Sequence, residues 1–527
     1  MRVRNLVAAL VTVLGANVVT LVSAVGGDSV LAPTIVPADA IAYVHVTLDP
    51  SLGQKRALLT LTESLPDQAR KKLNDGVPRA LDDLFSEVDV DFDTDIKPWL
   101  GGEIALFVSG GLREPNGAVL LETTDADAAL RTARRIVEEH SGGTPTEVTH
   151  RETAYWTLDA RRGPLAGEDI AGGVVEGFLV LGTPTGVTSV IDAAADGGLN
   201  ASPSYSRLTG GLPEDRLVTY WIDTPALVKE GLRDMPAAQA RVFRSSPFFD
   251  RQQQIAGAIG VAEDALVFDT VSPRAERADA LPNVPANPEL MASLPAGTWA
   301  GFVVPGLGAT LEALLDAVPD SLDVEQQFAD EAGRDLRDDV LAWMRDAGSF
   351  VAGESLQRLS GGLVIESGDA AATGQVVDAL RDAGVRQGGN ARPVTAGGLS
   401  GFAVADRSFP ARVTVLGGDK LVVAIDAAKV APSDSVVIDF TGQGSTLATG
   451  ETFDRAVESL GVGYAPVFYL DGDGLVKVVQ SAFPGSDRPR ALDEARPYAN
   501  ELSHVIAGVR EDGDLLKQRL VIGAAGS

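Results

Sequence analysis

The sequence predicts an α+β protein made of two tandem copies of one module, each a largely antiparallel β-sheet covered by helices, after an N-terminal transmembrane or signal segment. Three observations predict this architecture. An apolar run follows two N-terminal arginines, the motif Asp95 to Trp99 recurs 244 residues later, and the predicted strands outnumber the helices that could connect them. Strands joined by short turns pair antiparallel, and helices then pack on the sheet, on one face in our prediction.

Residues 1–26 are predicted to be a signal anchor or a signal peptide. Arg2 and Arg4 precede an apolar run from Leu6 to Val25. About twenty helical residues span one bilayer core, and basic residues before such a run keep the N-terminus in the cytoplasm. Two outcomes stay open: a single-pass protein of the cell membrane with an extracytoplasmic C-terminal bulk, or a protein secreted after cleavage near Ala24.

The internal repeat determines the predicted domain organisation. Asp95 to Trp99 pairs with Asp339 to Trp343 at an offset of 244, and Trp221 pairs with Tyr469 at an offset of 248. Further matches keep the same order and nearly the same offset, which is typical of a duplicated module. The predicted organisation is a spacer at 27–36, a first α+β repeat at 37–271, a linker at 272–288 and a second α+β repeat at 289–524.

Each copy has the same predicted order of elements. A short strand, one or two amphipathic helices and two apolar strands come first. A helix then begins at Asp125 or Asp369, because an Asp side chain accepts the free N–H groups of a first helical turn. More strands, short helices and a closing hairpin complete the copy, with the hairpin turn at Glu263-Asp264 or at Glu511-Asp512. The predicted strands are 41–47, 103–108, 118–122, 154–158, 173–175, 178–182 and 217–223 in the first copy, and 299–304, 348–352, 363–366, 413–416, 420–425 and 467–471 in the second. The predicted helices include 54–65, 67–85 and 309–343.

The Trp residue of the repeated motif is interpreted as an anchor in the core of each copy. Pro98 fixes φ and ends the preceding segment, Trp99 offers a large apolar surface, and Gly101 with the next glycine permits a turn into a strand. In the second copy Trp343 remains, whereas the proline and the first glycine are replaced. The shared residue is therefore the Trp.

Composition excludes several classes of function. The chain has 527 residues, no cysteine and a formal net charge of -29. Without cysteine there is no thiol nucleophile, disulfide, Cys-ligated zinc or iron–sulfur cluster. Nucleic acid needs a clustered basic footprint, which the sequence lacks, so it is not an expected partner. The acidity itself indicates either a solvated surface or a surface for cationic ligands.

No catalytic or cofactor-binding residue can be assigned, and no cofactor is predicted. The sequence contains no zinc-binding, phosphate-loop, dinucleotide or G-x-S-x-G pattern. The four histidines lack ligand spacing and are interpreted as packed or solvent-facing side chains. They are His45, His140, His150 and His504.

One acidic run is a candidate metal site. An EF-hand loop counted from its first Asp would need Gly at Thr94 and Glu at Leu100, so a charged strand edge explains the run as well. The candidate ligands are Asp89, Asp91, Asp93 and Asp95.

A family resemblance rests on motifs near the start of the first copy. Residues 37–40 (Pro-Ala-Asp-Ala, with Asp39), residues 48–50, residues 54–59 and the Pro98-to-Gly101 motif together resemble a bacterial domain-of-unknown-function family, numbered thirty-three fifty-two. The resemblance implies an exported or membrane-tethered bacterial protein, matched over most of the chain after the N-terminal segment. It implies no activity, cofactor or catalytic residue.

These observations favour a non-catalytic, extracytoplasmic binding or scaffold protein of the bacterial cell envelope. Its expected partners are the membrane, through the N-terminal segment, and an envelope protein. The alternative is an envelope hydrolase with an acid- or Ser-based site, which would place a polar cluster in one copy that the other copy lacks.

Overall fold

The computed structural model describes residues 30–64, 92–111, 115–161, 167–233, 235–244, 253–274, 287–316, 324–386, 390–405, 411–427, 430, 435–437, 444–482 and 500–525. The predictions that lie outside these residues are the N-terminal segment 1–26, the helix at 67–85, most of the linker at 272–288, and the metal candidates Asp89 and Asp91. The side chains of Asp93 and His140 are not described either. Within the described ranges, no helix combines the length and apolarity needed to cross a bilayer.

The chain divides into two compact units, residues 1–273 and 274–527. Each unit has an antiparallel β-sheet with helices packed on it, so the predicted α+β class with antiparallel sheets is confirmed.

Ten strands of the first unit form its sheet within the described residues. They are β1 (Ala42–Thr47), β2 (Leu100–Gly110), β3 (Pro115–Thr123), β4 (Thr146–His150), β5 (Thr153–Asp159), β6 (Asp169–Val175), β7 (Phe178–Gly182), β8 (Val218–Ile222), β9 (Ile255–Ala262) and β10 (Ala265–Pro273). The spatial order is β4-β5-β6-β7-β3-β2-β1-β8-β9-β10, and every neighbouring pair is antiparallel. Strand β1 is therefore central and hydrogen-bonded on both sides.

The described strands of the second unit also number ten. They are β11 (Thr298–Val304), β12 (Met344–Ala352), β13 (Ser360–Ser367), β14 (Ala391–Ala396), β15 (Leu399–Ala405), β16 (Ala411–Gly417), β17 (Lys420–Ala427), β18 (Ala465–Asp471), β19 (Leu502–Asp512) and β20 (Leu515–Ala524). Their order is β14-β15-β16-β17-β13-β12-β11-β18-β19-β20, again antiparallel throughout. Each strand occupies the place of the strand ten numbers earlier in the first unit.

Helices pack on both faces of the sheet, whereas one covered face was predicted. In the second unit Val377 packs on the sheet beside Ile365, and Phe453 packs edge-on against Tyr469 at 5.1 Å between ring centroids. The strand registers put Ile365 and Tyr469 on opposite faces, because successive side chains alternate. Both faces of these strands carry apolar residues, so helices must shield both faces from water.

The helices of the first unit are α1 (Leu52–Ser64), α2 (Ala126–Ser141), α3 (Pro184–Asp196), α4 (Pro203–Thr209), α5 (Thr224–Arg233) and α6 (Ala237–Arg244). Those of the second are α7 (Pro288–Ala292), α8 (Leu307–Leu315), α9 (Val324–Ala332), α10 (Ala370–Arg386), α11 (Glu451–Leu460) and α12 (Gly472–Ala482).

The predicted starts of two helices are confirmed. The Asp125 carboxylate accepts the backbone N–H of Ala128 at 3.0 Å before α2. The Asp369 carboxylate accepts the N–H of Ala371 at 2.8 Å before α10. Each carboxylate satisfies a first-turn donor that has no partner within the helix.

The repeated Trp has the same local structure in both units. Trp99 is buried and its indole N–H donates to the backbone oxygen of Asp95 at 2.6 Å. Trp343 is buried and donates to the backbone oxygen of Asp339 at 3.2 Å. A π-helical turn precedes each Trp, at Phe92–Ile96 and Arg337–Leu341.

The role predicted for Gly101 is wrong. Gly101 lies inside β2 and not in a turn. A Cβ at this position would lie 2.7 Å from Cγ of Glu122, and the Glu122 carboxylate accepts the N–H of Gly102 at 2.7 Å. Glycine is needed because the Glu122 side chain crosses the strand closely, and a methyl group would displace it.

Several predicted boundaries also differ from the structure. The helical region predicted at 309–343 holds α8, which ends at Leu315, and α9, which spans Val324–Ala332. The closing turns correspond at an offset of 250, so Glu263-Asp264 matches Gly513-Asp514 and not Glu511-Asp512. Helix α12 begins directly after β18 at Gly472, and the Asp471 carboxylate accepts the N–H of Asp473 at 3.1 Å.

The predicted spacer at 27–36 is part of the folded unit over its described portion. Ala32, Ile35 and Val36 are buried. The backbone oxygen of Val36 accepts the N–H of Leu199 at 2.7 Å. Apolar side chains such as Ile35 stabilise this docking because it removes them from water. We call residues 31–36 the leading segment.

Candidate functional site

The central strand of the first unit carries a buried polar cluster, which we call the Glu103 cluster: Tyr43, His45, Glu103, Tyr205 and Arg216. Tyr43 and His45 lie on one face of β1, two residues apart. In the register of β1 with β2, Glu103 lies opposite Thr47, which puts it diagonal to His45 on the same face. Tyr205 comes from α4, and Arg216 lies two residues before β8.

Glu103 holds the leading segment against the sheet. Its carboxylate accepts the N–H of Leu31 at 2.8 Å and the N–H of Ala32 at 3.0 Å. His45 Nε2 lies 3.6 Å from the same carboxylate, beyond hydrogen-bond distance. A buried carboxylate needs donors, and two backbone N–H groups supply them here.

Aromatic packing closes the cluster. The Tyr43 and Tyr205 rings meet edge to face at 6.1 Å, and Tyr205 meets Trp221 in the same manner at 5.6 Å. Arg216 donates from Nε to the Thr219 hydroxyl at 2.8 Å and from Nη1 to the backbone oxygen of Pro213. The guanidinium is thereby fixed beside the two phenols.

Burial dominates the electrostatics of the cluster. It raises the pKa of Tyr43 well above its usual value, with Tyr205 and Glu103 adding to the rise. It raises the pKa of Tyr205 to about 12. It also lowers the pKa of the Arg216 guanidinium, because a charge is poorly solvated there. Both phenols are therefore neutral hydrogen-bonding groups near neutral pH.

Two buried atoms of the cluster lack a hydrogen-bond partner among the described residues, Tyr43 Oη and His45 Nε2. An unsatisfied buried polar group costs free energy, so such groups are uncommon in a core. The phenol can donate a hydrogen bond, the imidazole nitrogen can donate or accept one, and both groups lie beside the Glu103 carboxylate. These features make the cluster the leading candidate for a functional site in the first unit.

The matching positions of the second unit are mostly apolar. The register places Gly301 where Tyr43 lies and Val303 where His45 lies, and helix α11 presents Phe453 in place of Tyr205. A carboxylate remains: Asp346 is buried and accepts the N–H groups of Asn287 at 3.2 Å and Gly306 at 2.8 Å. The carboxylate that holds backbone is thus common to both units, and the phenols and imidazole are not.

A further buried carboxylate, Asp426, has structural contacts among the described residues. It accepts hydroxyl hydrogen bonds from Ser360 at 2.8 Å and Ser435 at 2.6 Å, and it pairs with Arg412 at 2.8 Å. Its charge is compensated in place, as a buried carboxylate requires.

The Ser459–His504 pair has the composition of a nucleophile and base but the wrong polarity. Ser459 Oγ donates to the backbone oxygen of Ala456 at 2.7 Å and lies 3.0 Å from His504 Nε2. A hydroxyl has one proton, so the His504 nitrogen must donate to Ser459. In this arrangement the imidazole donates to the hydroxyl and does not accept its proton as a base would.

A cleft of about 430 Å³ lies at the edge of the first sheet, beneath the C-terminal end of α2. Asp159 and Asp169 face each other across β5 and β6 on its wall, and Arg161 is nearby. The remaining lining residues are Gly143, Thr144, Thr146, Thr157, Leu158 and Pro184.

The residues singled out from the sequence do not converge on one site. Asp95, the only metal candidate with a described side chain, pairs with Arg135 at 2.5 Å. Within the described part of the chain, no group of three or more His, Asp or Glu side chains could hold a metal ion. His150 contacts Asp192 at 2.8 Å on the surface. Asp39 and Pro98 are exposed, in turns before β1 and β2 respectively.

Sequence reasoning missed Glu103, Tyr205 and Arg216. One signal was available for Glu103, a single charge inside the apolar run that forms β2. Its partners lie 71 and 72 residues earlier in the chain, and local periodicity cannot reveal such contacts.

Comparison with known proteins adds little beyond the family. A search of curated proteins finds no match. Two solved structures of TP0453 are similar over part of the chain: crystal form III has a TM-score of 0.25 and 10% identity, covering 48% of this chain and 82% of TP0453. Crystal form I has a TM-score of 0.24 and 8% identity, covering 47% and 81%. Likeness at these scores supports no inference about function.

A family profile, described as "Protein of unknown function (DUF3352)", matches residues 5–488. The extent expected from the sequence motifs is corrected by this match. It begins just before the N-terminal apolar run and not after it, and it ends before the closing hairpin of the second unit. Because the profile matches most of the chain, the chain belongs to the DUF3352 family.

Proposed function

We propose that this protein is a non-catalytic binding or scaffold protein of the bacterial cell envelope, tethered to the membrane by residues 1–26, with its bulk outside the cytoplasm. The observation that carries the proposal is the docking of the leading segment. Glu103 binds the backbone of Leu31 and Ala32 only a few residues after the apolar run ends at Val25. A membrane span at that run would hold the first unit close to the bilayer surface.

The chemistry of the polar clusters supports a non-catalytic role. Glu103 and Asp346 use their carboxylates to bind backbone, and Asp426 is neutralised by its neighbours. The Ser459 hydroxyl donates a hydrogen bond to the backbone oxygen of Ala456. Each of these groups has a structural task that accounts for its position, and reaction chemistry would require it to give up those contacts.

We also propose that the two units are tandem copies of one module. The identical strand order, the π-helical turn before each Trp and the carboxylate that holds backbone all support duplication. A further match joins Leu199 and Leu447: each N–H donates to the backbone of the segment that opens its unit, at Val36 and Leu294. Unrelated sheets would not be expected to share such details.

In-cell cross-linking of the tagged full-length protein tests the proposed function. We expect the same envelope protein to be captured repeatedly from its own bacterium. A folded His45→Gln variant should capture the same partner, because a non-catalytic scaffold does not use the imidazole in a reaction. Capture of cytoplasmic proteins alone, or of no protein at all, would contradict the proposal.

The envelope hydrolase remains a second candidate, and one observation favours it. The positions of Tyr43, His45 and Tyr205 hold apolar residues or glycine in the second unit, which is the asymmetry that a hydrolase predicts. Its test is to assay the purified full chain against ester, peptide and glycoside substrates. Hydrolysis that disappears in a folded His45→Gln variant would establish the hydrolase and contradict the proposed scaffold function.

A further inference from the structure

A short loop in the second unit presents an apolar side chain to solvent. Gly461, Val462, Gly463 and Tyr464 connect α11 to β18, and we call them the Val462 loop. Val462 is 94% exposed, the largest exposure among the large hydrophobic residues of the described chain. Gly461 and Gly463 have φ values of 88° and 83°, a left-handed conformation that glycine adopts without steric cost. The two glycines project Val462 outward at the tip.

The closing hairpin holds this loop in place. The guanidinium carbons of Arg510 and Arg519 both lie 4.9 Å from the centre of the Tyr464 ring, in cation–π geometry. Arg510 also donates to the backbone oxygen of Val462 at 3.2 Å, and Arg519 to that of Leu460 at 3.3 Å. The tip is therefore preorganised, and little conformational entropy would be lost when it binds.

The rim of the loop is basic in a strongly acidic chain. Lys517 lies opposite Arg510 in the hairpin register, and both pair with Asp512, at 2.7 Å and 3.7 Å. On this face of the hairpin the side chains of Arg510, Lys517 and Arg519 lie beside one carboxylate, that of Asp512, whereas the whole chain carries -29; Glu511 and Asp514 are the other acids of the hairpin end. We call these three basic residues the basic rim.

The corresponding loop of the first unit has the opposite character. It joins α4 to β8 and carries Glu214 where the second unit has Val462. The register of the closing hairpins puts Gly260 in the place of Arg510, and Asp269 in the place of Arg519. The loop tip is thus apolar in the second unit and acidic in the first, and the hairpin position of Arg519 holds an acid in the first unit.

We propose that the Val462 loop is a membrane-contact site that inserts Val462 into the interface of a bilayer containing anionic lipid, with the basic rim against the headgroups. An apolar tip ringed by cations matches this interface, where apolar burial and attraction to anionic headgroups act together. The net negative charge of the rest of the chain would be repelled by the same surface, so this loop would set the orientation of the second unit. The site goes beyond the N-terminal tether and does not require it.

A fluorescent label at the tip tests the proposal. The chain has no cysteine, so Val462→Cys in the full-length protein takes a single environment-sensitive nitrobenzoxadiazole label. The matched control is Glu214→Cys, which places the same label at the corresponding exposed loop of the first unit. Both proteins are mixed with vesicles of phosphatidylcholine alone and of phosphatidylcholine with phosphatidylglycerol, and circular dichroism confirms that both are folded.

We expect a blue shift and a rise in emission for the Val462→Cys label with phosphatidylglycerol vesicles, reversed by high salt because ions screen headgroup attraction. The Glu214→Cys label should stay in a water-like environment. Equal emission from both labels in every vesicle would overturn the proposal, and so would an equal shift with phosphatidylcholine alone, which would remove the role of the basic rim. Flotation of the same samples reports the N-terminal tether separately: protein that floats while the Val462→Cys label stays in water retains the tether and lacks this site.

Discussion

At the scale of single residues, Glu103 ties the leading segment to the sheet through two backbone N–H groups. We predict that Glu103→Gln lowers the free energy of unfolding by about 1–3 kcal/mol, because an amide keeps one acceptor and turns a donor toward the backbone donors. Urea denaturation measures the change. Glu214→Gln, at an exposed position, is the control and should change stability by less than about 0.5 kcal/mol. Equal stability of both variants and the wild type would mean that Glu103 does not hold the segment.

The phenols of the Glu103 cluster predict a loss of stability at alkaline pH. The folded-state pKa of Tyr205 is raised to about 12. A raised folded pKa gives stability that is complete below the unfolded pKa of about 10 and is lost as pH rises through the folded pKa. Between these two pKa values the free energy of unfolding should fall by roughly 3 kcal/mol more in the wild type than in Tyr205→Phe. Urea titrations across this range test the difference, and parallel pH profiles would contradict the burial of the phenol.

At the scale of elements, two glycines predict opposite effects of the same substitution. Gly101→Ala in β2 should lower the free energy of unfolding by about 1–3 kcal/mol, since its methyl group would meet the Glu122 side chain at 2.7 Å. Gly374→Ala, inside α10 with open space around it, should raise the free energy of unfolding by up to about 1 kcal/mol, because alanine has the higher helix propensity. Thermal unfolding of both variants measures the two signs. A neutral Gly101→Ala would show that Glu122 can move away freely.

The elements also show how far sequence reasoning reaches. Buried strands such as β2 were predictable, because their apolar runs need cover on the sheet. Strands β4, β14 and β15 were missed. β14 is an edge strand, with alternately exposed residues and Pro393, and therefore lacks an apolar run. The Glu103 cluster was missed because strand pairing and a segment far back in the chain assemble it, and neither leaves a local pattern.

At the scale of the whole molecule, each unit has its own buried Trp and its own core. We predict two heat-absorption transitions in calorimetry of the full chain. Trp99→Ala should lower the midpoint of one transition and Trp343→Ala the other, each by removing a core side chain worth about 3–5 kcal/mol. If either variant shifted both transitions equally, the units would not be separate folding units.

The proposed function requires a membrane-tethered chain that exposes both units outside the cytoplasm. Labelling of Glu214→Cys in spheroplasts with a membrane-impermeant maleimide tests this requirement, because the chain has no other cysteine and Glu214 is exposed. We predict labelling in intact spheroplasts, with the labelled protein in the membrane fraction; labelled protein in the medium would instead indicate secretion after cleavage near Ala24. Labelling only after lysis would place the units in the cytoplasm and contradict the account.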